Sequence, residues 1–312
     1  MFEINKIELK KLTDTLGYHS YIVEKVCRLI LILSHLSKLR ISDMLAIKGG
    51  TAINYIYFKI PRLSEDIDLD YIGFVEKEKM QVDRAIIDRT LMNLFKQQGY
   101  TVEKKESWII TKYFLQYMGM NNNKDVIKVD VNYFKRLSVL PLVQKEIKHF
   151  FDIPVFKVKT YQIEELLGDK ISTMLIRGTP RDMYDVYNLE HVKYDAILLK
   201  KIIVFYSSMM MDIRKFDINK LGVVSQKEFG DQLLPQLIKG AEIDLVEIKN
   251  FVMKTTTHLL KFDERETEFI GTLYDKKEYK PELLFVNDAL KEHPEYKRLL
   301  YQFSQKKYVE EV

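Results

Sequence analysis

The spacing of apolar residues changes along this chain, and the change divides it. In residues 18–39, Tyr21, Ile22, Val23, Val26, Leu29, Ile30, Leu33 and Leu36 recur at the three- and four-residue interval of an amphipathic helix. Ahead of it, residues 1–17 predict an opening segment with a short amphipathic piece, ended by Gly17. Residues 45–47 form a short apolar run that suits a buried strand; it breaks at Gly49-Gly50, and Ile53, Ile56 and Tyr57 then return to helical spacing. After Pro61, residues 66–72 alternate strictly, as a strand does, and close near Gly73. Residues 76–98 predict a helix ended at Gly99. Residues 100–106, 108–117 and 126–133 alternate again, with a turn at 119–123, and predict an antiparallel set beside the strand at 66–72. Residues 153–158 are strand-like.

From residue 161 the period is helical. Ile163, Leu166, Leu167, Ile171 and Met174 share one face over 161–175, with Lys170 beside that stripe. Thr179 is the expected N-cap of a following helix and Pro180 its first residue. Asp182 is explained by capping and the helix dipole, whereas Val186 and Leu189 place Asp185 near the inner face. Further helices are expected over 196–207, 225–237, 243–260 and 264–273, with turns near Gly222, Gly230, Gly240 and Gly271, and a helical pair over 281–312. Trp108 and Met209-Met210-Met211 are expected in the core, and Cys27 buried on a helix. The fold class is therefore α+β: a mixed sheet flanked by helices over residues 1–160, then a helical lobe over 161–312.

Composition narrows the setting. A chain of 312 residues that is 46% hydrophobic supports a real core. Its single cysteine cannot close an internal disulfide, so a cytoplasmic location is expected. The opening MFEINKIELKKL lacks the apolar run of a signal peptide, and the most apolar stretch, 29–33, is too short to span a bilayer, so no membrane partner is expected. A net charge of +4 permits a nucleic-acid partner without arguing for one. The histidines are scattered, and no zinc spacing or internal repeat is present.

The chemistry concentrates in residues 45–71. A strand, a glycine pair and a helix start bring free backbone N–H groups and a positive dipole end together, which suits a phosphate. Asp66 and Asp68 share one strand face about 6–7 Å apart. Two ionised carboxylates repel unless cations neutralise them, and Mg²⁺ (or Mn²⁺) is the natural candidate. Asp70, on the same face, is expected to be solvated at the strand end. Lys170 either snorkels to water or reaches a triphosphate.

Lys48-Gly49-Gly50-Thr51-Ala52, followed by Arg62-x-Ser64-x-Asp66-Ile67-Asp68-Leu69, resembles the opening motif of the AbiEii/MenT family. These are nucleotidyltransferase-like toxins of bacterial toxin–antitoxin and phage-defence systems, within the polymerase beta-like nucleotidyltransferase superfamily. Lys170, then Arg181-Asp182-x-x-Asp185, resembles the family's downstream motif. The resemblance implies transfer of a nucleoside monophosphate from a nucleoside triphosphate (NTP) to an acceptor, with the helical lobe completing the nucleotide pocket. It implies a metal site of Asp66, Asp68 and Asp130, where Asp130 ligates the metal near the nucleophile or takes its proton; Asp125, at a turn, is the local competitor. Gly49, Gly50, Thr51 and Ser64 would hold phosphate oxygens, and Lys48 and Arg62 would do so by charge. Lys170 would neutralise departing pyrophosphate, Asp185 would contact the nucleotide or orient Lys170, and Arg181 and Asp182 would join the pocket.

The implied acceptor is tRNA or another RNA, the outcome toxic, and the restraint a cognate antitoxin. Lys124, Lys128, Lys135, Arg136, Lys145 and Lys148 form a candidate basic track for that RNA. Transfer to a small molecule or a protein hydroxyl, and a non-catalytic NTP-binding module on the same fold, are the competing readings.

Overall fold

Helices and strands form where the apolar period changes, and in the computed structural model, which describes residues 5–73 and 76–310, the chain divides into two compact units. The first is Met1–Gln162 with Gly230–Ile243, and the second is Ile163–Phe229 with Asp244–Val312.

In the first unit, α1 (Lys6–Leu16) is opened by a capping box between Asn5 and Glu8 and ends at Gly17, whose φ of 74° suits a residue without a side chain. There follow α2 (Ser20–Leu36), β1 (Leu45–Lys48), α3 (Gly49–Ala52) running into a π-helical turn at Ile53–Tyr57, and β2 (Asp66–Tyr71). Next come α4 (Lys77–Gln97), β3 (Thr101–Glu106), β4 (Ile110–Met118), β5 (Lys124–Asn132), β6 (Val143–Glu146) and β7 (Lys157–Thr160). The strands form one sheet in the order β3-β4-β5-β2-β1-β7-β6. β5 runs parallel to β2 and β7 parallel to β1; the other pairs are antiparallel. The predicted antiparallel set thus joins β2 through a parallel pair. The strand-like stretch at 153–158 overlaps β7 only at its end. β6 is largely exposed and polar, so periodicity gave it no signal.

The two faces of this sheet do different things. Ile67, Leu69, Tyr71, Tyr113, Leu115, Val129 and Val131 are buried on one face. The ring of Phe95 on α4 packs edge-on to Tyr113 at 5.5 Å, and Asp83 and Asp88 of α4 accept hydrogen bonds from Tyr71 (2.7 Å) and Tyr113 (2.8 Å). Arg28 of α2 lies over the Tyr117 ring on the same face. Each buried aliphatic side chain stabilises by about 1.5–3 kcal/mol, so the register is strongly fixed. A slip of one residue would turn the carboxylates inward. The alternation therefore leaves Asp66, Asp68 and Asp130 on the opposite face.

The second unit is helical: α5 (Ile163–Arg177), α6 (Pro180–Tyr187), α7 (Ala196–Ser208), α8 (Gln226–Gln232), α9 (Leu245–Leu259), α10 (Glu264–Tyr274) and α11 (Pro294–Glu310). At Gly230, within α8, the chain passes to the first unit and returns after Ile243. Gly168 lets α5 approach α7 closely, since a Cβ there would collide with Ile202. An aromatic core holds Phe205, Phe269, Tyr279 and Tyr296, with Tyr279 stacked on Tyr296 at 4.0 Å.

Several expectations are corrected. Gly230 and Gly271 lie inside helices, not at turns. The tail carries the single α-helix α11 after two 3₁₀ turns, and residues 311–312 lie outside the described residues. Met209 is buried, but Met210 is exposed. Trp108 is 67% exposed, with its ring edge-on to Phe134, because it precedes β4 rather than facing the core within it. Cys27 is buried. Among the described residues, no helix is long and apolar enough to cross a membrane.

Candidate active site

The carboxylates are set by strand register. Asp68 of β2 pairs with Asp130 of β5, and Asp66 pairs with Lys128. Adjacent strands lie about 4.8 Å apart, so Asp66, Asp68 and Asp130 share one face. Asp125 does not join them: its carboxylate accepts from Tyr117 (3.0 Å) and Lys25 (3.1 Å), with Lys25 provided by α2 on the covered face. Asp130 is the better candidate for a concrete reason. One of its oxygens, Oδ1, is buried without a hydrogen-bond partner among the described residues, while Oδ2 lies 3.7 Å from Lys112 Nζ and 3.5 Å from Lys128 Nζ. Among the described residues, no three Asp, Glu, His or Cys side chains are gathered as a ready metal cluster. The donors fit a hard divalent cation in kind: they are carboxylate oxygens, and one of them is buried with its hydrogen-bonding capacity unused.

The glycine pair is shaped by what lies against it. Gly49 has φ 69°, and a Cβ there would collide with Asp68 Oδ2. A Cβ on Gly50 would meet Arg62 Nη2 at 2.8 Å and Ser64 Oγ at 3.0 Å. Arg62 and Ser64 therefore sit directly on the turn. Thr51, expected on a phosphate, has a buried hydroxyl that bonds to Ser64 Oγ (3.0 Å) and the Asp66 carbonyl, which braces the turn. Tyr55 adds a second brace, its hydroxyl donating to the Ser64 carbonyl (2.8 Å) and accepting from the Ser64 amide (2.7 Å).

Arg62 carries a partner that the sequence did not reveal. It is buried, and its Nη1 donates to Gln236 Oε1 at 2.8 Å and to the Leu63 carbonyl at 3.3 Å. Gln236 is itself buried; its Nε2 donates to Glu65 (2.8 Å) and its carbonyl accepts from the Leu63 amide (2.8 Å). Glu65 in turn pairs with Lys25, which also bonds to Asp125. Burial opposes the charge of Lys25, yet Glu65 and Asp125 together hold its pKa above the ordinary value. One residue of the 230–243 segment thus clamps both sides of the Arg62–Ser64–Asp66 motif. No local pattern could have found a residue more than 170 positions away.

Asp70 corrects another expectation. It is fully buried rather than solvated, its carboxylate accepting from Tyr161 (2.8 Å) and lying 2.8 Å from Lys48 Nζ. Lys48 is thereby held on the carboxylate face beside Asp68, its strand partner. Two members of the expected basic track are engaged within the protein in a similar way. Lys135 is buried over the Tyr161 ring, and Lys148 donates to the Phe58 carbonyl (2.7 Å), with burial and Lys59 lowering its pKa.

In the second unit, Lys170 lies between two buried carboxylates, 3.0 Å from Asp182 and 3.1 Å from Asp185. Neither snorkelling nor capping describes this cluster. Asp182 also accepts from Arg177 Nε (2.6 Å) and the Thr179 hydroxyl (2.7 Å), so Thr179 serves Asp182 rather than the helix backbone. Burial would raise the Asp182 pKa, but Lys170 and Arg177 overcome it and hold the carboxyl below its usual range. Arg181 is half-buried on α6.

A family model described as nucleotidyl transferase AbiEii toxin, type IV toxin–antitoxin system, matches residues 31–253, a span holding both the Asp-x-Asp strand and the Lys170 cluster. The chain belongs to the AbiEii family. It is a nucleotidyltransferase of the toxin class, for which the family implies an NTP substrate and a cognate antitoxin. Among solved structures it is similar to the nucleotidyltransferase toxin MenT4 of Mycobacterium tuberculosis, at 15% identity and a TM-score of 0.60, over 84% of this chain and 92% of that one. At that identity the likeness is one of fold. No curated protein matches its sequence.

Proposed function

We propose that this AbiEii-family protein transfers a nucleoside monophosphate from an NTP to the terminal hydroxyl of an RNA, tRNA first among them, with magnesium at Asp66, Asp68 and Asp130. The observation that carries the reading is the pairing of Asp68 with Asp130 on one sheet face, against the Gly49–Gly50 turn. When bound, the divalent ion supplies charge that offsets the developing negative charge on the triphosphate.

The protein's own groups do the rest. The Gly49 and Gly50 backbone, Ser64, Arg62 and Lys48 hold the phosphates. Asp130 would ligate the metal near the nucleophile or take the proton of the acceptor's hydroxyl. The new bond forms between the acceptor oxygen and the α-phosphorus as the bond from that phosphorus to the bridging oxygen breaks, and pyrophosphate leaves. From the motif resemblance, Lys170 would offset the charge of departing pyrophosphate, Asp185 would contact the nucleotide or orient Lys170, and Asp182, with Arg181 next to it in α6, would fix Lys170 and Arg177.

Incubating the protein with each α-labelled NTP, Mg²⁺ and total tRNA tests this. Label on RNA, lost in EDTA, is the expected result; label only on protein or on small molecules would overturn the RNA acceptor. A second expectation concerns Gln236. Gln236→Leu should raise the KM for NTP with little change in kcat, because Arg62 loses its placement on Gly50. It should also lower stability by about 1–3 kcal/mol, since the buried Arg62 guanidinium loses its 2.8 Å acceptor. Steady-state kinetics and thermal melts together check it, and Gln236→Glu should recover part of the KM by keeping an acceptor for Arg62.

A further inference from the structure

The register of the sheet gives the carboxylate site two unlike sides. Facing residues form one row of Lys112, Asp130, Asp68 and Lys48 across β4, β5, β2 and β1, and a second row of Phe114, Lys128 and Asp66. On the β1 side of the acids lie Gly49, Gly50, Ser64 and Arg62. On the β4 side lie Lys112, Lys128 and Phe114. An in-line displacement needs the attacking oxygen and the leaving pyrophosphate on opposite sides of the reacting phosphorus. Resting on the reading above, which puts the phosphates on the glycine side, the acceptor must come in over β4.

What lies there suits a polynucleotide. Lys112 and Lys128 are 39% and 38% exposed, and both approach Asp130 Oδ2 at 3.5–3.7 Å, looser than the 2.7–3.2 Å of a good hydrogen bond. Such pairs exchange readily for phosphate oxygens. Phe114 is half-buried on the same face, with Lys105 of β3 over its ring at 5.2 Å. The remaining charges of β3 are otherwise engaged: Lys104 turns to Asp88 and Glu106, and Lys105 also pairs with Glu103. A half-exposed ring between lysines is the combination that holds a single strand by phosphate contacts and base stacking.

We propose that this strip on β4 and β5 binds the acceptor strand: Lys112 and Lys128 hold backbone phosphates of a polynucleotide whose terminal hydroxyl reaches Asp130, and Phe114 stacks a base near that end. The strip replaces the track expected from sequence, of which it keeps only Lys128.

The test separates binding from turnover. Fluorescence anisotropy in EDTA, where no transfer occurs, follows a short single-stranded RNA, and the same sequence as DNA, on the full-length protein across a salt series. For Lys112→Gln/Lys128→Gln the plot of log affinity against log salt should flatten by about 1.4, since each phosphate that a lysine no longer neutralises removes about 0.7 from the slope. Phe114→Ala should weaken binding at least about fivefold at every salt without changing the slope. A Lys10→Gln/Lys11→Gln control on α1 should change neither. Tighter binding of RNA than of DNA would name RNA as the source. An unchanged slope and affinity in the double variant overturns the strip. Failure of the wild type to bind either strand, with NTP transfer to another acceptor intact, overturns it too and leaves the transfer reading standing. Variant-sensitive binding with no transfer from any NTP keeps the strip and removes the transfer reading.

Discussion

Asp68→Asn is expected to abolish nucleotidyl transfer, lowering kcat by about a thousandfold or more, which is about 4 kcal/mol of transition-state stabilisation, while leaving the melting temperature nearly unchanged. Asp68 sits at the centre of the facing row, paired with Asp130 on one side and with Lys48 on the other. Asparagine keeps the shape that packs against Gly49 but removes the charge that would neutralise a divalent cation. The residue is only part-buried and asparagine keeps its size, so the melting temperature is expected to change little. Circular dichroism melts beside α-label transfer assays check both halves. Transfer that survives within about tenfold, a loss of only about 1.4 kcal/mol, would remove Asp68 from the metal site and the two-carboxylate mechanism with it.

The features legible in the sequence were those fixed by period. Strict alternation over 66–72 located β2 and, with it, the face of Asp66 and Asp68; alternation over 126–133 did the same for Asp130. Strand pairing then brought two separate stretches onto one face, and periodicity cannot say which strands pair. Where the sequence misled, the missing information was long-range. Asp70 reads as a strand-end acid because alternation names its face but not what covers it; Tyr161, 91 residues on, closes it off. Gln236 lies in a short 3₁₀ turn, Leu234–Gln236, with no period to mark it. Thr179 has the right position for an N-cap, yet its hydroxyl is drawn to a buried carboxylate, a stronger acceptor than the backbone offers.

Asp182→Asn should destabilise the second unit by about 3–5 kcal/mol near neutral pH, because it removes one of the two carboxylates that lie against buried Lys170 and the carboxylate that Arg177 donates to. Lys170 keeps Asp185 at 3.1 Å, which argues for the lower end of that range. Arg177 is largely exposed, so its own pairing is screened and adds less. The pH dependence follows from the direction of the shift. The folded-state pKa of Asp182 is held below its unfolded value, so the carboxylate's stabilisation is complete above the ordinary carboxyl range, about pH 4. It is lost as pH falls from there toward the depressed folded value. Urea unfolding of wild type and variant should therefore show a wide gap at pH 7 that narrows progressively below about pH 4. A gap that stays constant through the acid range would mean that the substitution acts through packing and hydrogen bonding, not through the charge that Lys170 and Arg177 stabilise. Asp182 would then anchor the start of α6 and have no electrostatic hold on Lys170.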